Sequence, residues 1–192
     1  NIVNYTVTVK PTPTPIVVTP ASATICQNAT TTQLLSATGG IISGAIVSGV
    51  SENFNSGPGG YTTVNNSTNT STGAAISPLA EWTLRNSPFT TTTASQTISS
   101  NDNSQYYISD SDLQGFDGLT RTELISPVFD LSTYTDASLS FWHYYRAWSN
   151  GSAKVQISTN GGSTYTDLVT YTTTSVGSPN NFANQILSLN AY

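Results

Sequence analysis

The sequence predicts an all-β chain, an antiparallel jelly roll or β-sandwich preceded by a short immunoglobulin-like β segment. Three observations carry this. Ser and Thr make up roughly three residues in ten of the 192, and β-branched Thr suits a pleated, half-exposed surface while resisting helix. No stretch of ten or more residues shows helical apolar spacing with caps. And Ser126 to Tyr145 followed by Ala153 to Tyr165 reads as an aromatic strand, an amphipathic strand, an Asn-Gly turn and a return strand, the middle of an antiparallel sandwich.

The elements follow in order. Tyr5-Thr-Val-Thr-Val9 alternates with period two and stops at Lys10-Pro11, so residues 1–10 read as the last strand of a preceding β-domain. Pro11-Thr-Pro-Thr-Pro15 is a semi-rigid extended spacer. Residues 16–46 read as an immunoglobulin-like lead-in with strands at Ile16 to Thr19 and Gln33 to Ala37. From residue 47 to 192 the chain reads as the jelly roll. Its strands are expected at Val50 to Phe54, Glu81 to Leu84, Tyr106 to Ser109, Leu124 to Ser126, Leu139 to Tyr145 and Asn184 to Leu189. A hairpin beside them turns at Asn160-Gly161 in a primed turn, with Val155 and Ile157 on one side and Lys154 and Gln156 on the other. Asn65 to Gly73 is expected to be a mobile polar loop.

Composition excludes several function classes. Five basic residues against ten acidic ones, net charge −5, cannot build a phosphate-tracking stripe, so nucleic acid is excluded as a partner. No apolar run spans a bilayer, and residue 1 does not open a signal peptide. The chain reads as part of something longer. Cys26 stands alone, which rules out a small disulfide scaffold. It reads as a buried small hydrophobe, or as half of a disulfide with a cysteine elsewhere; a catalytic thiol has no histidine near it. The one histidine, His143, lies in an aromatic strand and reads as a packed residue. No G-x-S-x-G or H-E-x-x-H occurs, and nothing sets Glu52, Glu81 or Glu123 face to face for glycoside hydrolysis, so the chain reads as non-enzymatic.

Two constellations remain. Asp110-Ser-Asp-Leu-Gln-Gly115 alternates oxygen side chains around a turn with glycine sixth, as a loop wrapping calcium does. Asp110, Asp112 and Asp117 are its candidate ligands, with Glu123 and Asp102 in reach; Arg121 stands where the bidentate carboxylate of an EF-hand would be. The competing reading is a solvated acidic turn. The second is aromatic: Trp142, Tyr144, Tyr145 and Trp148, with Tyr165 and Tyr171 further off, offer faces on which sugar rings stack. Alternation sets Leu139, Phe141, His143 and Tyr145 on one face and Trp142, Tyr144 and Arg146 on the other. Core packing competes for both faces.

Thr8-Val-Lys-Pro-Thr-Pro-Thr-Pro15 and Val18-Thr-Pro-Ala-Ser-Ala-Thr-Ile-Cys-Gln27 resemble the junctions between immunoglobulin-like repeats in giant surface proteins of the Bacteroidetes. Ser51-Glu-Asn-Phe54, Glu81-Trp82, Glu123 to Ser132, Leu139 to Tyr145 and Val155 to Leu168 resemble the jelly-roll modules of the same proteins, akin to cleaved-adhesin and MAM-like families. The resemblance implies a secreted adhesin at the outer-membrane surface, exported by the type IX route and serving attachment, including gliding motility. Its implied partners are an extracellular glycan or surface polysaccharide and the secretion and anchoring machinery. It also implies a structural calcium ion held by Glu52, with Asp136 as a late partner. The Asp-Asn-Val-type ending of such modules is absent, so the closing strands are expected beyond residue 192. The alternatives are a carbohydrate-binding module of a larger secreted hydrolase and a stalk without a ligand.

Overall fold

The computed structural model describes residues 2–10, 17–19, 36–38, 47–74, 80–132, 134 and 136–192. The Pro11 to Pro15 spacer and Cys26 lie outside the described residues. The strands, in chain order, are β1 (Ile2–Lys10), β2 (Val17–Thr19), β3 (Ser36–Thr38), β4 (Val47–Glu52), β5 (Thr62–Asn65), β6 (Thr68–Asn69), β7 (Thr83–Arg85), β8 (Phe89–Thr90), β9 (Thr97–Ile98) and β10 (Tyr106–Ile108). A one-turn 3₁₀ helix, Ser111–Gln114, precedes β11 (Gly118–Leu119), β12 (Thr122–Ile125), β13 (Asp136–His143), β14 (Ala153–Ile157), β15 (Thr166–Tyr171) and β16 (Ala183–Ser188). The fold is all-β, as the Thr-rich composition predicts, and every pair is antiparallel. Among the described residues no helix is long and apolar enough to cross a membrane.

One six-stranded sheet organises the rest, in the order β16-β13-β1-β10-β7 with β4 also paired to β1. Strand β1, placed by its sequence in a preceding domain, here runs through the middle of this sheet. Asn4 to Lys10 pair with Trp142 to Asp136 of β13. On its other edge Ile2 and Val3 meet Ile108 and Tyr107, and Tyr5 to Val9 meet Glu52 to Val47 with a register shift after Val7. Val17–Thr19 and Ser36–Thr38 pair with each other, matching the expected lead-in strands within three residues at each end.

The sandwich arises because two layers cover apolar residues on the sheet. Phe141, 1 % exposed, packs with Leu139 and Leu187 of its own sheet and with Tyr61, Phe129, Leu131 and Val155 from the facing layer. Burying such a ring contributes roughly 2–3 kcal/mol. A second cluster joins Ile98, Tyr106, Ile108, Tyr144 and Phe182, with Phe89 against it. The Asn101 side chain donates from Nδ2 to the Phe182 carbonyl at 3.0 Å and accepts at Oδ1 from the Phe182 amide at 2.8 Å, which fastens the residue leading into β16 to this cluster.

Local chemistry moves several expected boundaries. The first jelly-roll strand ends at Glu52 instead of running to Phe54, because Phe54 takes φ 58°. There its amide donates to Glu52 Oε1 and its ring is fully buried edge-on to Tyr61 and Tyr107. The Asn160-Gly161 turn is not a two-residue primed turn. β14 and β15 are joined by residues 158–165, in which Asn160 Oδ1 accepts from Thr164 N and Ser158 Oγ accepts from Gly162 N. Side-chain bonds here replace the tight backbone turn. The tract Asn65 to Gly73, expected as a mobile loop, holds β6 and a turn in which Asn69 Oδ1 accepts from Ser71 N, Thr72 N and Thr72 Oγ1.

Candidate functional site

Strand β13 places one aromatic residue outward between two inward ones. Phe141 and His143 are buried, while Trp142 is 45 % exposed on the opposite face. Strand β16 repeats the alternation beside it: Gln185 and Leu187 turn inward, Asn184, Ile186 and Ser188 outward. In register Trp142 stands opposite Asn184, and Ser140 opposite Ile186, so Trp142 and the exposed Ile186 are diagonal neighbours. Asn184 Nδ2 donates to Ser140 Oγ at 3.2 Å, which holds the amide between the two apolar side chains. The outer face thus offers an indole plane, an aliphatic shoulder, a fixed amide and a row of hydroxyls. Both edges of β13 are paired, so the strand presenting the indole is held on both sides.

Trp148, 73 % exposed, sits in the loop after β13. The Arg146 guanidinium lies 5.5 Å from its ring centroid, and Gly151 N closes a turn onto the Trp148 carbonyl. The loop is fastened from below by Tyr145, whose hydroxyl donates to the carbonyls of Gly151 and Thr172 at 3.2 and 2.9 Å. Sequence reasoning set Tyr145 among the sugar-stacking aromatics; its supporting role depends on a contact 27 residues away that no local pattern signals.

Tyr144 does not join the aromatic platform. β13 ends at His143, the alternation ends with it, and Tyr144 turns into the second cluster with only 9 % exposure. Tyr165 is exposed in the 158–165 loop, and Tyr171 packs its ring 4.9 Å from His143.

His143 is 4 % exposed between the rings of Phe141 and Tyr171. Burial pushes its pKa below the ordinary histidine value. The Ala183 backbone approaches closely enough to oppose this weakly, but neither ring nitrogen makes a hydrogen bond of good geometry among the described residues. A neutral, enclosed imidazole is a packing element and has no access to a substrate.

The acidic residues take separate local roles. Asp110 caps the 3₁₀ helix, accepting from Asp112 N at 3.2 Å. Burial first, then the Asp112 charge, raises its pKa, against the hydrogen bond from the Asp112 amide. Asp112 and Asp117 are exposed, and the Asp117 carbonyl accepts from Thr70 N and Oγ1. Glu52 folds back on Phe54 N, Asp136 accepts from Asn190 Nδ2 at 2.7 Å, and Asp102 accepts from Ser104 N. Glu123 lies exposed on β12. Among the described residues no three His, Cys, Asp or Glu side chains come together to hold a metal ion. Gly115, sixth in the loop, takes φ 71°, a positive φ that favours glycine, and its amide donates to the Asp112 carbonyl to close the 3₁₀ helix.

The geometry therefore gathers Trp142, Asn184, Ile186 and Ser140 into one exposed face, keeps Trp148 with Arg146 on a pinned loop, and leaves the carboxylates dispersed. The chain matches no protein-family model, no curated protein and no solved structure.

Proposed function

We propose that this chain is a non-enzymatic module of a secreted, surface-attached adhesin, and that it attaches by stacking the rings of an extracellular glycan on the outer face of β13 and β16. The observation that carries the reading is the exposed indole of Trp142 beside the oriented amide of Asn184. A sugar ring has one apolar C–H face and a rim of hydroxyls. An indole plane takes the first, and an amide with neighbouring serine hydroxyls takes the second. Trp148 and Arg146 supply a further contact point on a loop. Export by the type IX route, anchoring at the outer membrane and service in gliding are proposed on the resemblance of Glu123 to Ser132, Leu139 to Tyr145 and Val155 to Leu168 to the Bacteroidetes modules.

The test is tryptophan fluorescence titrated with neutral oligosaccharides and surface polysaccharide, on the wild type, Trp142→Ala and Trp148→Ala. Saturable quenching that Trp142→Ala weakens tenfold or more, about 1.4 kcal/mol or beyond, is expected. Equal binding by wild type and Trp142→Ala, or no saturable response to any glycan, sinks the reading. Beads coated with the protein should then adhere to glycan-bearing surfaces on their own, as an adhesin requires; a module serving only to deliver a hydrolase to its polymer would bind sugar without holding beads under flow.

A further inference from the structure

We propose that residues 2–10 are an exchangeable strand, and that the slot they fill accepts the same segment from a second copy of this chain to give a reciprocal strand-swapped dimer. The slot is defined by three strands. β13 forms one wall, and β10 followed by β4 forms the other. Without β1 these walls would face one another across roughly 10 Å, two strand spacings, with their backbone N–H and C=O groups unpaired.

The fit of the segment to the slot is set by register. Tyr5, Val7 and Val9 stand opposite Phe141, Leu139 and Ala137, while Thr6 and Thr8 stand opposite Ser140 and Ser138. Lys10 stands opposite Asp136. A slip of one residue would exchange the apolar and polar sets, so only this alignment serves. On the β4 side Val7 meets Val50 and Thr8 meets Ser48, and the irregularity between them pins the register a second time. The slot therefore recognises a strand of this alternation, and every copy of the chain carries one.

The connection permits the exchange. Between β1 and β4 the described residues are β2 and β3, and these pair with each other and not with the main sheet. The 36 residues from 11 to 46 span at most about 120 Å at about 3.3 Å per extended residue, enough to deliver the strand to a neighbouring molecule. No contact is lost in a reciprocal swap, since each slot receives the same nine residues, and the arrangement closes with two-fold symmetry. Pairing within one chain is favoured in dilute solution by its effective concentration, and exchange is favoured as copies crowd together.

Thr6 and Ser140 are directly opposed and offer a reporter. The full chain carrying Thr6→Cys, Ser140→Cys and Cys26→Ser is refolded dilute and about a hundredfold more concentrated, oxidised, and run on a non-reducing gel beside light scattering. Disulfide-closed monomers when dilute, giving way to disulfide-linked dimers when concentrated, are expected. Closed monomers at both concentrations, or no cross-link at either, overturn the proposal. Should the triple variant not fold, the wild-type chain is refolded with a labelled peptide of residues 1–10. Uptake that a Val7→Pro change in the peptide reduces tenfold or more supports exchange, because proline removes a ladder donor; absence of uptake overturns it.

Discussion

Replacing Tyr106 with phenylalanine takes one oxygen out of the second apolar cluster. Tyr106 has no exposed surface, and its hydroxyl donates to the Ile98 carbonyl at 2.8 Å. In Tyr106→Phe that carbonyl loses a partner, at a cost of about 1–1.5 kcal/mol at neutral pH. A second effect appears in alkali. Burial pushes the phenol from its ordinary value of 10.0 up to about 12, against weaker opposing effects from the Phe89 backbone and Arg85. The folded state therefore holds its proton where the unfolded chain releases it. Stability from this group is complete below pH 10 and falls by about 1.4 kcal/mol per pH unit toward pH 12, a total of roughly 3 kcal/mol. The variant lacks that loss. Urea unfolding between pH 8 and pH 11.5 should show the wild type ahead by about 1 kcal/mol at the lower end and the two proteins converging or crossing near pH 11. Tyr107, Tyr145 and Tyr171 are also raised by burial and bend both curves alike, so the difference between the curves is the reading that counts. Parallel curves over that range would refute the account of an enclosed phenol at this position.

Acid acts through His143. Its pKa is lowered by burial, so the unfolded chain takes up the proton first; stability is full above about pH 6.5 and declines as pH falls through the interval below it. His143→Phe should flatten melting temperature against pH between 7.5 and 5, and an unchanged slope would mean that another group sets the acid limb. Asp110→Ala should lower stability by about 1 kcal/mol through loss of the helix cap, equally in chelator and in millimolar calcium. A loss confined to the calcium arm would restore the acidic loop as an ion site.

Period-two patterning was readable wherever a strand had one face on the core. Lys154 and Gln156 do face away from Val155 and Ile157, and a bulge between Val155 and Gln156 lets both polar side chains reach Asp167 at 2.7 Å. What the pattern could not supply was where alternation stops. Tyr144 was set beside Trp142 on the assumption that the strand continues to Tyr145, but pairing with β16 ends at His143 and the next side chain enters a different cluster. Nor could it supply partners. The alternation of Tyr5 to Val9 identified a strand, yet Asn4 meets Trp142, a residue 138 positions away, and no local signal encodes that. For the site, the sequence left both faces of β13 as candidate core. Only the absence of a described layer over Trp142 and Ile186 made one of them a surface.

The placement of β1 also bears on how the molecule carries load. β1 and β16 both run antiparallel to β13 and so parallel to each other, with Thr8, Ser138 and Ser188 side by side. Tension applied toward the start of β1 and toward the end of β16 therefore acts along the strands in opposite directions. The ladder bonds on both edges of β13 lie across that direction and are strained together, as rivets are in a lap joint, instead of opening one after another as a zipper does. Rupture then needs many bonds to fail at once, and the force-driven unfolding rate is correspondingly low.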